Sequence, residues 1–120
     1  MMTQEVVKFF KTQQFGTIIN IGSTASTNGF VSGSVYCASK FAVRGLTYCW
    51  RNELRGDNIR VMLVNPSEVP TAFNNKQRKE REDELKKLSS NEIAHAIISA
   101  IEMDDRGFIP ELNVWATNPF

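Results

Sequence analysis

Charge of one sign, long apolar runs, cysteine and histidine are all scarce in this sequence, and each scarcity removes a class of function. Fourteen Lys and Arg stand against thirteen Asp and Glu, a formal net charge of +1 over 120 residues. With no Lys/Arg-rich block, there is no electrostatic footprint for a nucleic acid. Unbroken apolar runs reach only a few residues, so no segment is long enough to span a bilayer. Met1 to Phe10 is too broken by polar residues to form the apolar region of a secretory signal, and the expected setting is cytoplasmic. The two cysteines, Cys37 and Cys49, fall within one predicted helix. Twelve helical residues separate them by about 18 Å along the axis, beyond the reach of a disulfide. They form no Cys-x-x-Cys pair, so zinc and redox sites have no support and both thiols are expected to be buried spectators. The single histidine, His95, lies on a predicted helix beside its apolar stripe and reads as structural or exposed; no metal site is expected.

What is present is the composition of one soluble domain: 42% hydrophobic, 10% aromatic and 22% charged residues. Folding at this length buries roughly two-thirds of the surface of the unfolded chain. Periodicity predicts a first helix over Thr3 to Gln14, with Val6, Val7, Phe9 and Phe10 on one side and Gly16 ending it. A short apolar strand, Thr17 to Ile21, follows. A long helix from Ser34 to Arg55 carries Phe41, Ala42, Leu46, Trp50 and Leu54; Arg51 and Arg55 suit its last turn and Gly56 is placed as its left-handed cap. Ile59 to Val64 contains Val-Met-Leu-Val without alternation, the habit of a parallel strand buried on both faces. Asn65 to Phe73, with two prolines, reads as a loop.

Asn74 to Lys87 is dense in charge, with six basic and four acidic residues, and reads as a solvated helix or a flexible lid. Ser89 and Glu92 make a capping box, and Leu88 and Ile93 a hydrophobic staple, for a helix whose stripe is Ile93, Ile97, Ala100 and Ile101. Phe108 to Trp115 is the last strand, with Pro110 suited to a strand start or a sheet edge. Trp50 and Trp115 read as packing residues. The alternation of helices and short apolar strands argues for a parallel sheet covered on both faces, and resembles half of a doubly wound fold.

The chemistry-bearing set is Ser23, Tyr36 and Lys40. Tyr36 and Lys40 are four residues apart, on one face near the start of the long helix. A phenol is a poor acid or base near neutral pH, with a reference pKa of about 10. A nearby ammonium or a helix N-terminus favours the phenolate. Ser23 ends the first strand, on the rim where doubly wound folds bind ligands. A hydroxyl there could hydrogen-bond a substrate carbonyl as negative charge builds on it. Alone, a Tyr-x-x-x-Lys pair is weak evidence, since an aromatic beside a solvated lysine is common on helices.

The ensemble is more specific. Ile-Ile-Asn-Ile-Gly-Ser ends thirteen residues before Tyr36. Ala-Ser-Lys-Phe-Ala follows Tyr36-Cys37, and Ile59-Arg60-Val61-Met62-Leu63-Val64-Asn65-Pro66 leads on to Thr71. In this arrangement the sequence closely resembles the short-chain dehydrogenase/reductase family over almost its whole length, in a style similar to 3-oxoacyl-carrier-protein reductases at Phe108 to Leu112. The resemblance implies the C-terminal half of a doubly wound, Rossmann-type sheet, about three strands in one domain over residues 1–120, without the N-terminal cofactor-binding half.

It further implies that Tyr36 is the general acid/base of a carbonyl–alcohol interconversion. Lys40 would lower the pKa of Tyr36 and hydrogen-bond the nicotinamide ribose of NAD or NADP, and Ser23 would polarise the carbonyl. Pro66 and Val69 would line the nicotinamide pocket, and Thr71 would reach the carboxamide or phosphate. Ser67 stands where the family has glycine, which puts the close backbone approach at that loop in question. The glycine-rich turn that cradles a pyrophosphate is missing. Gly29 and Gly33 have part of its spacing, but Val35 occupies the third position and both belong to the loop before Tyr36.

The chain is therefore expected to begin inside a helix of a larger reductase and to be inactive by itself, binding no cofactor alone. Its small-molecule substrate would belong to the complete enzyme. In the complete fold Thr17 to Ile21 would lie inside the sheet; in this chain it would be an apolar edge. The helices of Thr3 to Gln14 and Ser34 to Arg55 are those that related families use in dimer bundles, so a homo-oligomer is expected. The alternative function is a non-catalytic oligomerising module.

Overall fold

The structure, a computed structural model, describes residues 2–73, 76–79, 81 and 84–120. The elements run α1 (Met2–Gln13), β1 (Gly16–Ile21), α2 (Ser34–Leu54), β2 (Ile59–Pro66), α3 (Ser90–Ile101) and β3 (Glu111–Val114). Single 3-10 turns follow β1 at Thr24–Ser26 and α2 at Arg55–Asp57. The strands form one parallel sheet in the order β1-β2-β3. Gly16 pairs with Ile59 and Ile21 with Val64 on one side of β2; on the other, Leu63 pairs with Glu111 and Pro66 with Val114. This is the expected partial doubly wound architecture. No described helix is long and apolar enough to cross a membrane.

Strand β2 is the core. Val61, Met62, Leu63 and Val64 are fully buried, as a run without alternation requires when both faces are covered. Burying each such side chain contributes roughly 1.5–3 kcal/mol. Ile59 and Val61, with Ile18 of β1, face Val7 and Phe10 of α1 and Trp50 and Leu54 of α2. On the opposite face the Arg60 guanidinium donates to Thr17 Oγ1 at 3.0 Å and to the carbonyls of Ile101 and Met103 at 3.1 Å each. A buried-side cation thus meets the orphan carbonyls at the end of α3, where the helix dipole is negative.

The termini follow local chemistry, with some displacements from expectation. Ser89 caps α3 by accepting from the Glu92 N–H, and the Glu92 carboxylate accepts from the Ser89 N–H at 2.7 Å, completing the capping box. The left-handed residue after α2 is Asn58 (φ 58°), not Gly56. The helix tightens into a 3-10 turn through Arg55–Asp57, which moves the chain reversal two residues on, to an asparagine that tolerates this conformation. At the end of α1, likewise, Gln14 takes positive φ and Gly16 opens β1. Arg51 stands in the last turn of α2 as expected, and its guanidinium donates to the Val61 and Pro110 carbonyls, tying α2 to the sheet.

Only one of the two thiols is buried. Cys37 points inward and donates to the Asn28 carbonyl, whereas Cys49 is exposed. The helix-or-lid reading of Asn74 to Lys87 lies partly outside the described residues, which omit Asn74, Asn75, Glu80, Glu82 and Asp83; those described form no helix.

Gly22 continues β1 by donating to the Val64 carbonyl at 2.8 Å. A Cβ there would stand 2.2 Å from Asn65 Oδ1 and 2.6 Å from Ser26 Oγ, both buried and hydrogen-bonded. Gly22→Ala should therefore lower stability by about 1–3 kcal/mol, as overpacking does, read from urea unfolding. An unchanged midpoint would contradict this packing.

Candidate functional site

The C-terminal ends of the three strands converge with the start of α2, and the sequence-derived residues gather on this rim. Ser23 adopts extended backbone (φ −170°, ψ 167°) immediately after Gly22. Its hydroxyl accepts from the Ala25 N–H at 3.2 Å, capping the following 3-10 turn. Its own N–H is shared by Ser26 Oγ at 3.0 Å and Asn65 Oδ1 at 3.3 Å. Because the hydroxyl accepts from the backbone, its proton is left to donate outward.

Tyr36 and Lys40 lie one turn apart near the start of α2. Lys40 Nζ donates to the Ile21 carbonyl, the last of β1, at 3.2 Å, and sits 5.8 Å from the centre of the Tyr36 ring. An ammonium has three donors; one anchors the helix to the strand end. The Tyr36 ring contacts Phe30 and Phe73, with centroids 6.3 and 5.8 Å away in tilted arrangements. A Cβ on Gly33 would stand 2.5 Å from the Phe30 ring, so glycine at the α2 cap lets the loop fold that ring back toward Tyr36.

Pro66 ends β2 opposite Val114. Ser67 has no left-handed backbone, so the glycine it replaces is not needed for conformation. Its N–H donates to the Val114 carbonyl at 2.8 Å and its hydroxyl accepts from the Ala116 N–H at 3.2 Å. The Val69 carbonyl accepts from Arg81 at 3.1 Å, and Thr71 Oγ1 accepts from the Phe73 N–H at 3.2 Å. Phe73 therefore joins the Thr71 loop to Tyr36. Between Val69 and Ser67, Glu68 pairs with Arg81 at 2.8 Å and Lys87 at 3.1 Å. Those hydrogen bonds, Arg81's foremost, hold its carboxyl below the ordinary glutamate range.

Two features escaped the sequence. One is a cleft of about 360 Å³ at this rim, lined by residues including Thr24, Phe30, Ser67 and Trp115. Trp115, expected to pack, is 61% exposed and forms part of this wall. The other is a polar chain behind the strand ends. Tyr48 donates to Glu111 Oε2 at 2.6 Å, and Arg44 donates to Tyr48 Oη at 2.8 Å and to the same carboxylate at 3.4 Å. Asn65 Nδ2 donates to Glu111 Oε1 at 2.9 Å and Asn113 Oδ1 at 3.1 Å. Burial, followed by the hydrogen bond to Glu111, pushes the Tyr48 phenol above its ordinary pKa. Glu111 lies 63 residues from Tyr48 in sequence, so no local pattern announces the contact.

Among the described residues no group of three His, Cys, Asp or Glu could hold a metal ion. Lys40 and Thr71 keep donors that would suit one end of a nicotinamide nucleotide. Beyond its bond to the Ile21 carbonyl the Lys40 ammonium has two donors left, and Thr71, accepting from the Phe73 N–H, retains a hydroxyl proton. No glycine has the positive φ of a tight phosphate-cradling turn.

Comparison with known proteins agrees with this fold. A sequence model of the short chain dehydrogenase family matches residues 1–82. The NADP-dependent 3-hydroxy acid dehydrogenase of Schizosaccharomyces pombe is 32% identical over 98% of this chain and 48% of its own length. The 3-oxoacyl-[acyl-carrier-protein] reductase FabG of Thermotoga maritima is 38% identical over 72% of this chain and 36% of its own. Among solved structures, the serine dehydrogenase of Escherichia coli superposes with a TM-score of 0.78, at 26% identity, over 94% of this chain and 45% of that one. A closed form of serine dehydrogenase complexed with NADP+ gives 0.81 at 26% identity, over 94% of this chain and 49% of that one. The chain thus spans about half the length of the curated relatives it matches, and by sequence and fold together it belongs to the short-chain dehydrogenase family.

Proposed function

We propose that this chain is the substrate-handling part of an NAD(P)-dependent oxidoreductase that interconverts a carbonyl and an alcohol, with Tyr36 as general acid/base. The observation that carries the reading is the Lys40 bond to the Ile21 carbonyl, which fixes the start of α2 against the strand end that bears Ser23. In the reducing direction the Tyr36 hydroxyl gives its proton to the substrate oxygen; in oxidation the phenolate takes it back. Ser23 donates to the same oxygen and stabilises the charge that builds on it. Lys40 sets a positive charge beside the Tyr36 ring and offers its remaining donors to the ribose. Pro66 and Val69 line the pocket around the nicotinamide, and Thr71 reaches its carboxamide or phosphate. When bound, the nicotinamide nucleotide supplies or accepts the hydride at the substrate carbon.

The names of the relatives cite a 3-hydroxy acid, a 3-oxoacyl-[acyl-carrier-protein] and serine, which agrees with chemistry at a carbon bearing oxygen. A cytoplasmic setting and a small-molecule substrate belong to the same proposal. So does inactivity of the 120-residue chain by itself, since the residues described here offer donors to only one end of the nucleotide.

In a full-length reductase carrying this segment, Tyr36→Phe should lower turnover by about 10²–10⁴-fold while nucleotide affinity, read by fluorescence titration, stays the same. A variant with near-wild-type turnover would remove Tyr36 from the chemistry. The 120-residue chain titrated with NADH and NADPH should show no saturable binding at low micromolar concentration; saturation there would mean that the chain assembles a cofactor site unaided.

A second reading, an oligomerising module, is favoured by the position of β1. Among the described residues it pairs only with β2, and Ile21 is 47% exposed. Such an edge recruits another chain, and the apolar face of α1 and α2 offers a further surface. Light scattering of the purified chain should give a mass above 13.6 kDa; a monomer at low micromolar concentration would count against this reading.

A further inference from the structure

Exposed apolar side chains flank Tyr36 and the cleft beside it. Phe30, Val31, Val35, Phe73 and Trp115 are each more than half exposed. Phe30 and Phe73 are in ring contact with Tyr36, and Phe30 and Trp115 line the cleft. Contiguous exposed aromatics of this kind mark a surface meant to be covered, and a cleft of about 360 Å³ is the size of a small-molecule site.

The charges of the cleft are internally spent. Lys87 is the one basic side chain lining it among the described residues. Its ammonium is held by Glu68 at 3.1 Å and Glu84 at 3.0 Å. Glu68 lines the cleft as well and is paired a second time, with Arg81. An anionic ligand would have to displace one of these carboxylates or lie beside it; an uncharged ligand leaves the cluster intact. The Trp115 wall is also fixed. Ser67, where the family has glycine, accepts from the Ala116 N–H and so holds the segment that carries the indole.

We infer that this cleft takes an uncharged carbonyl or alcohol compound with a flat apolar body, seated against Phe30 and Trp115. The inference rests on the carbonyl–alcohol reading of Tyr36, which does not itself line the cleft but touches its Phe30 wall through a ring contact, and it names the substrate class of that adjoining site. It sets this chain apart from a site built for a free carboxylate, which would present an uncommitted Lys or Arg.

The test is a titration of the chain with butyrophenone and with 3-benzoylpropionate, which share a phenyl ketone and differ in a terminal methyl against a carboxylate. Binding is followed by the indole N–H of Trp115 and the backbone amides in nitrogen–proton correlation spectra, with Trp50, packed in the core, as the internal reference. Butyrophenone should shift Trp115, Asn28 and Ser67 saturably and bind at least about tenfold more tightly than 3-benzoylpropionate, a difference of about 1.4 kcal/mol. Trp115→Ala should abolish most of that affinity, and Glu68→Ala, which frees Arg81 from its carboxylate and leaves Lys87 paired with Glu84 alone, should improve binding of the carboxylate.

Equal or tighter binding of 3-benzoylpropionate to the unaltered chain overturns the assignment of an uncharged ligand and leaves the Tyr36 reading standing. If neither compound binds, the assignment is overturned as well. Shifts at Trp115 without any at Tyr36 or Ser23 support the ligand class but separate the cleft from the proposed acid/base, and so count against that reading instead.

Discussion

A single buried amide, that of Asn65, joins the three strand ends on which the candidate site is built. It is fully buried near the end of β2. Both of its donated bonds go to β3, to Glu111 and Asn113, and its oxygen accepts from Ser23 after β1. The donors fix which way the amide faces, so the acceptor has one direction in which to point. A buried polar group left without partners costs roughly 1–3 kcal/mol, and this one is satisfied only while all three strands hold their register. Gly22 is the counterpart on β1, because the oxygen occupies the place a side chain would need. The parallel sheet and the rim above it are therefore specified together.

What the sequence discloses and what it conceals divide along local and non-local lines. The strand Ile59 to Val64 is legible because burial on both faces leaves a run without alternation. The helix after Ser89 is legible because a capping box is written within four residues. The placement of Tyr36, Lys40 and Ser23 near one rim is legible because one spacing lies within a helix and the other runs from a strand end; their roles are the proposal. Gly56 misleads as a cap: a glycine is permissive, but nothing local reveals that a 3-10 turn will carry the reversal to Asn58.

Cys49 and Trp115 mislead for the converse reason. Residue type favours burial for both, and only the tertiary arrangement leaves one on the outer face of α2 and the other on a cleft. Least legible of all are Glu111 and Ser67. Glu111 meets Tyr48 and Arg44 from more than sixty residues away, and the role of Ser67 depends on where the chain beyond β3 passes.

Helix α2 carries both ends of this arrangement. At its start are Tyr36 and Lys40; in its middle Thr47 donates to the Val43 carbonyl and receives a hydrogen bond from Asn20 of β1, and further on Trp50 packs on the cluster of Leu54, Ile59 and Val61 that Val7 and Phe10 of α1 also meet. The element is thus a lever about 31 Å long with its fulcrum near the sheet. Lys40 lies about 15 Å from Trp50 along this rod, so a tilt of about 2° about Trp50 displaces it by about 0.5 Å, the tolerance that the proposed constellation would allow. Val7 and Phe10 of α1 meet the same Leu54–Ile59–Val61 cluster on which Trp50 rests, so the far half of this rod is seated on the sheet and α1 shares its seat.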